Sequence, residues 1–180
     1  MNIESSFVDI KKIHGRQHVG GLIGNADSAG SVNISKSYVW IDKNGDQNPG
    51  ENDIHASLGS NEAVASFVGN AGNIAVGFLQ MEKSYADVIN ATVDDSKFKS
   101  IVSEGGAVVN TSNININNVV SIGLNSGYNG QVSGVFYYNS HQEMIDNVGD
   151  FEYGDGGSDW ALNPSGNLVL GWQEHGFHNN

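Results

Sequence analysis

Residues 42 to 53 read Asp-Lys-Asn-Gly-Asp-Gln-Asn-Pro-Gly-Glu-Asn-Asp. Asp42, Asn44, Asp46 and Asp53 fall at positions 1, 3, 5 and 12 of that stretch, the ligand spacing of a calcium loop. Ca²⁺ takes roughly six to eight hard oxygens, and alternate residues of a turning loop can aim theirs inward together. Two positions depart from the pattern. Gln47 stands where the sharp turn asks for glycine, and Asp53 has a shorter arm than glutamate. The flanks at 37–41 and 54–58 read as strands, so the expectation is a calcium-stiffened loop between strands. The competing reading is an Asx-rich turn that holds no metal.

A second acidic group, Asp146, Asp150, Glu152, Asp155 and Asp159, surrounds Gly154, Gly156 and Gly157. Its Gly-Asp-Gly-Gly-Ser-Asp core is one degenerate match to the Gly-Gly-x-Gly-x-Asp calcium repeat, and a solvated polar loop is the expected outcome. His14 and His18 are four apart, a spacing that would put two ligands on one helix face. The intervening Gly-Arg-Gln lacks the glutamate of a zinc peptidase, and Gly15 argues against a helix. His55 and His141 have no partner at sequence level, and His175 and His178 lie in a tail. The histidines are read as surface or turn residues. Neither a Gly-x-Ser-x-Gly elbow nor a phosphate loop nor a dinucleotide fingerprint is present in the sequence.

The elements that must position these residues alternate with period 2, the pattern of strands buried on one face. Val32 and Ile34 oppose Ser31, Asn33 and Ser35, while Ile74, Val76 and Phe78 oppose Asn73, Ala75 and Gly77. Ile114 and Ile116 oppose three asparagines, and Leu168, Leu170 and Trp172 oppose Asn167, Val169 and Gly171. Gly, Asn and Asp punctuate these segments. The chain has 24 Gly, 2 Pro and 16% charged residues, a composition that suits an all-β fold with many turns.

The chain also repeats. Lys36-Ser37-Tyr38 recurs as Lys83-Ser84-Tyr85, and Gly24, which closes an apolar run, recurs as Gly69. A repeat that cannot bury its own apolar face must stack on its neighbours. The expected fold is therefore an all-β, right-handed parallel β-helix (a solenoid) with ~20 to 25 residues per coil and about seven to nine coils. A β-sandwich is the alternative. One domain is expected, a solenoid over 1–145 closed by an acidic loop and capping segment over 146–180.

Net charge is −12, and all eight Lys and Arg precede position 100, whereas eight acids and no Lys or Arg follow it. Such a surface repels phosphate backbones and anionic lipid, which argues against nucleic acid as a partner. No apolar run approaches the length of a membrane span, so no membrane insertion is expected. Cysteine is absent, which excludes a disulfide scaffold and thiolate metal sites. The first residues lack the profile of a signal peptide, and the reading taken is a segment of a longer exported chain.

Gly20-Gly21-Leu22-Ile23-Gly24 through Ser37-Tyr38 resembles the GLUG motif, in which Gly-Gly-Leu-Val-Gly precedes a short loop and a strand ending Asn-Ser-Tyr. Lys36 stands where asparagine is usual. Ala65-Ser66-Phe67-Val68-Gly69 through Tyr85 is a second copy without the glycine pair, and Val119 to Tyr138 offers a third echo. The resemblance implies a β-helical adhesion or spacer segment of a bacterial surface or secreted protein, extracellular or at the cell surface. It transfers no catalytic residue. The implied partner is a host or environmental surface ligand such as a glycan. A glycan-degrading β-helix is the alternative, with Asp94, Asp95 and the 146–159 acids as candidate carboxylates and Tyr137, Tyr138, Trp160 and Trp172 as stacking surfaces. The lack of any cation after position 100 counts against it.

Overall fold

The computed structural model describes residues 1–26, 30–41, 54–56, 63–71, 78–88, 98–99, 101–102, 114–122, 134–147 and 159–174. Within these the chain is mostly strand, and nearly all of the pairing is parallel. The pattern Val32-Asn33-Ile34-Ser35 does become a strand (β6, Val32–Ser35), with both apolar side chains buried. Lys36 then takes φ +47° and the chain continues as β7, Tyr38–Ile41. The same event recurs on every neighbouring strand. Ser5 (φ +49°) separates β1, Asn2–Glu4, from β2, Phe7–Ile10. Lys83 (φ +45°) lies within β11, Leu79–Val88, and Asn118 (φ +52°) within β13, Ile114–Ile122.

The registers place these four residues in one column. Phe7 pairs with Tyr38, Tyr38 with Tyr85 and Tyr85 with Val120, so the residues two before them stack as well. A left-handed L-residue costs about 1–2 kcal/mol. Here it shifts the inward phase by one residue, so that Ile34 and Ser37, or Met81 and Ser84, both lie buried three apart. The sheet closes with β14, Val135–Tyr138, beside β13. Its order is β1-β6-β11-β13-β14, with β2 and β7 continuing the same surface.

Three shorter parallel ladders come next in the same chain order. β3, Ile13–Gly15, pairs with β8, Ile54–Ala56. β4, His18–Gly20, pairs with β9, Ala63–Ala65, which also pairs with β12, Phe98–Lys99. β5, Ile23–Asn25, pairs with β10, Val68–Asn70, and Val68 bridges Val102. Ile23, Val32, Ile34, Val39, Val64, Phe67, Leu79 and Met81 are among the side chains that fill one core between the ladders. The glycine pair has a steric reason. A Cβ on Gly20 would lie 2.4 Å from the amide nitrogen of Gly69, and one on Gly69 would lie 2.5 Å from the Val19 carbonyl carbon. The amides of Gly21 and Leu22 donate to the carbonyls of Ser66 and Phe67 at 2.8 and 3.1 Å, which draws the two passes together.

Four expectations are corrected. Successive passes are not uniform coils of 20 to 25 residues: Asn2 pairs with Asn33, Val32 with Leu79, Leu79 with Ile114 and Val119 with Val135, so passes of unequal length, the first three longer and the last shorter, replace the uniform coils. Connector length, which leaves no periodic signal, accounts for the difference. The alternating strand expected over Ile74, Val76 and Phe78 falls on 72–77, outside the described residues, except for Phe78, which is exposed and just precedes β11 rather than pointing inward. The third echo is out of frame, because Val119 pairs with Ser84 and so stands in the register of Ser37 rather than of Val19. The last segment forms an antiparallel hairpin of β15, Trp160–Leu162, with β16, Leu168–Leu170, and all three residues of β16 are buried. Trp172 leaves that alternation, for it sits in the short helix α2, Gly171–Glu174.

The antiparallel pairing that a β-sandwich would require is confined to this hairpin among the described residues. A first helix, α1, spans His141–Asn147. Ser140 caps it, accepting from the Glu143 amide at 3.1 Å, while Glu143 Oε2 accepts from the Asn139 amide at 2.8 Å. No helix among the described residues is long and apolar enough to cross a membrane.

Candidate functional site

The left-handed column sets the direction of the next two side chains on each pass. Ser6, Ser37 and Ser84 donate their hydroxyls to the carbonyls of Glu4, Ser35 and Glu82 at 3.0, 2.8 and 2.8 Å. Each of the lower two also accepts an amide from the pass above, Ser6 N–H onto Ser37 Oγ at 3.2 Å and Ser37 N–H onto Ser84 Oγ at 3.1 Å. The residue after each serine then points outward, away from the core. Phe7 and Tyr38 stack with ring centroids 5.3 Å apart, and Tyr38 and Tyr85 with centroids 5.4 Å apart and planes within 12°. Each such pair contributes about 0.5–1.5 kcal/mol beyond its buried area.

The C-terminal hairpin closes over this aromatic face. Trp160 lies 5.5 Å from Tyr85 and 6.3 Å from Tyr38, and Leu168, Leu170 and Met144 complete a second apolar cluster. Two hydrogen-bonded groups tie it to the hairpin. Trp40 Nε1–H donates to the Tyr85 hydroxyl at 2.8 Å, and that hydroxyl donates to the Leu168 carbonyl. The Tyr38 hydroxyl and the Leu170 amide both donate to Gln173 Oε1 at 2.9 Å. Burial pushes the Tyr85 phenol well above its ordinary value, with the Tyr38 phenol adding to the shift. Burial likewise raises Tyr38 to about 12, against the opposing hydrogen bond to Gln173. Both phenols are thus protonated donors at neutral pH, unsuited to act as bases or nucleophiles there.

At the rim of the hairpin, Lys36 Nζ lies 3.0 Å from Asp159 Oδ2 and 3.6 Å from Glu4 Oε1. Its pKa is raised, first by the hydrogen bond to Asp159. Partly exposed pairs of this kind contribute about 0.2–1 kcal/mol. The ion pair ties the left-handed corner of one pass to the hairpin. Trp172, 55% exposed, stands 5.9 Å from Phe7 and is the aromatic side chain of this face most open to solvent.

The candidate calcium ligands Asp42, Asn44, Asp46 and Asp53 lie outside the described residues. Their segment connects β7 to β8, as Lys11 and Lys12 connect β2 to β3. Of the second acidic group, Asp159 pairs with Lys36, and Asp146 on α1 accepts from Gln142 Nε2 at 2.7 Å. Asp150, Glu152 and Asp155, like Asp94 and Asp95, are outside the described residues. Among the described residues no three His, Asp or Glu side chains are grouped to hold a metal ion.

His14 and His18 sit on different strands, so the spacing never meets a helix face. His18 Nδ1 is buried with no hydrogen-bond partner. His14 is the register partner of His55, a pairing the sequence did not disclose. Trp160, considered as a stacking surface, is buried. Sequence reasoning also missed Gln173 and the roles of Ser37 and Ser84. The Lys-Ser-Tyr recurrence carried the signal for the serines, and Ser140-x-x-Glu143 carried it for α1. Compared with known proteins, the chain matches no family model, no curated protein and no solved structure.

Proposed function

We propose that this chain is a right-handed parallel β-helix serving as a non-catalytic extracellular adhesion or spacer module of a larger bacterial surface or secreted protein. The observation that carries the reading is the agreement of repeat with register. Lys36-Ser37-Tyr38 and Lys83-Ser84-Tyr85, recognised as a repeat in the sequence, stand side by side as register partners. The sheet and the three shorter ladders are met in the same order on successive passes, which is how stacked coils pair. Asn33 Nδ2 donates to Asn2 Oδ1 at 2.8 Å and Asn70 Nδ2 to Asn25 Oδ1 at 3.0 Å, the amide ladders that such stacking favours. Ser37, Ser84, Asn33 and Asn70 likewise use their side chains in hydrogen bonds between neighbouring passes.

The resemblance to GLUG segments supplies the bacterial surface setting, and the charge distribution suits an exported acidic surface. Calcium belongs to the proposal at Asp42, Asn44, Asp46 and Asp53, in the twelve residues between β7 and β8, where two residues separate β2 from β3. The residue types fit a hard cation, four oxygen donors at calcium-loop spacing.

A second reading, glycan binding, is favoured by one feature. Trp172 presents an open indole beside the half-buried Phe7, an arrangement that suits stacking against a sugar face. A glycan array run alongside a reducing-sugar assay separates the readings. A binding module gives array signals that Trp172→Ala removes, with no release of reducing ends. Steady release of reducing ends from an arrayed glycan would overturn the non-catalytic reading.

A further inference from the structure

We infer that the outward face of β6, β11 and β13 binds an uncharged linear polysaccharide laid across the strands, with Phe78 stacked on one sugar ring. The inference goes beyond the readings above, because it places a ligand on a face they leave unused. It rests on the register of three neighbouring passes. All three strands are interior to the sheet, so the face does not depend on how either end of the sheet is finished.

Register sets Asn33 beside Gln80 and Gln80 beside Asn115. Each stands between inward apolar residues, Val32 and Ile34 for the first, Leu79 and Met81 for the second, Ile114 and Ile116 for the third. The three amides therefore form one outward column. Asn33 spends its Nδ2 on Asn2, and its Oδ1 has no hydrogen-bond partner. The ladder goes no further, for the Gln80 and Asn115 side chains make no hydrogen bond among the described residues. Two residues along each strand runs a second column of Ser35, Glu82 and Asn117, with Glu82 exposed.

On the other flank of Gln80 stands Phe78, 45% exposed. Its carbonyl accepts from the Val32 amide at 2.9 Å, so the ladder already holds the chain at that point. With Leu79 inward, Phe78 shares the outward side of Gln80.

The chemistry selects the ligand. Neighbouring parallel strands lie ~4.8 Å apart, a period close to the length of one sugar residue, so successive sugars meet successive amides. A carboxamide offers a donor and an acceptor side by side, which suits adjacent hydroxyls of one ring. The Glu82 carboxylate accepts from further hydroxyls, and the open phenyl ring suits the C–H face of a sugar. Lys36 and Lys83 at the margin are outnumbered there by Glu4, Glu82 and Asp159, and the whole chain carries −12. That field disfavours a polyanionic chain such as a polyuronate.

Titration calorimetry on the 180-residue chain tests this, with linear glucan, mannan and xylan oligomers from disaccharide to hexasaccharide as probes. At least one series is expected to bind, with affinity rising as each amide rung gains a sugar and then levelling. Hexagalacturonate is expected to bind about tenfold more weakly or not at all. Phe78→Ala is expected to weaken binding up to about tenfold, and Gln80→Leu several-fold. Melting curves check that each variant keeps its fold, and Asn115→Ala, at an exposed position, probes the column a third time. No binding by any of the three series, or tighter binding of hexagalacturonate, would overturn the inference. So would binding that all three variants leave intact. If Trp172→Ala removes binding of that last kind, the ligand belongs beside Phe7, and the glycan reading above stands while this one falls.

Discussion

The amide of Ser37 donates to Ser84 Oγ at 3.1 Å, and that same hydroxyl donates to the Glu82 carbonyl, so one buried side chain serves two passes of the chain. Both serines are fully buried. Ser84→Ala therefore leaves the Ser37 amide and the Glu82 carbonyl without this partner, at a cost of about 1–3 kcal/mol. Ser6→Ala, at the part-exposed end of the same column, is expected to cost a fraction of that. Urea denaturation of the two variants checks the ranking, and equal midpoints would refute it.

Tyr85 joins Trp40 to the C-terminal hairpin through one hydroxyl. Tyr85→Phe strips a partner from the Trp40 indole and from the Leu168 carbonyl, at about 1–3 kcal/mol. Tyr38→Phe leaves Gln173 Oε1 still holding the Leu170 amide and is expected to cost less. Hydrogen exchange across 159–174 should accelerate more in the first variant than in the second.

The raised phenol pKa values make stability depend on alkaline pH. The unfolded tyrosine ionises near 10, whereas the folded Tyr38 does so at about 12. The unfolded state thus loses its proton first. The contribution is fully present below pH 10 and is lost as pH rises toward 12, with Tyr85 adding in the same direction. Thermal melts at stepped pH should show this decline, and a Tyr38→Phe, Tyr85→Phe double variant should show a shallower one.

Gly20→Ala puts a methyl group 2.2 Å from the Ile23 carbonyl oxygen and 2.4 Å from the Gly69 amide nitrogen. Backbone on both sides cannot step aside cheaply, and a loss of about 1–3 kcal/mol is expected. Gly30→Ala meets nothing within 4 Å and is expected to be neutral or slightly stabilising. Thermal unfolding of the pair measures the contrast.

For the calcium proposal, millimolar Ca²⁺ is expected to raise the melting temperature. Asp42→Ala combined with Asp46→Ala should abolish that rise. An unchanged melting temperature in the wild-type chain would remove metal from the account.

Local alternation and self-similarity made the all-β class legible, and they located β6, β13 and the paired Lys-Ser-Tyr triplets. Periodicity did not reveal the length of each pass, because connectors such as 42–53 carry no alternating pattern and vary freely in size. The alternation read over Ile74, Val76 and Phe78 stops short of β11, and exposed Phe78 stands one residue out of step with buried Leu79 and Met81. The burial of Trp160 and the role of Gln173 depend on contacts with residues 75 to 135 positions away, which no local pattern encodes. The calcium-loop spacing of Asp42, Asn44, Asp46 and Asp53 was visible in the sequence, and these residues lie outside the described ones.

The join between β7 and β8 has one further implication. Two lysines suffice to turn the chain between β2 and β3, and twelve residues do the equivalent job one layer along, while Ile13 and Ile54 still meet as partners. Closing the longer detour costs on the order of 1 kcal/mol of entropy, small beside the ladders it joins. The scaffold can therefore take segments of different length between Ile41 and Ile54 while the strands on either side keep their register, which makes this join the natural port for grafting a foreign peptide.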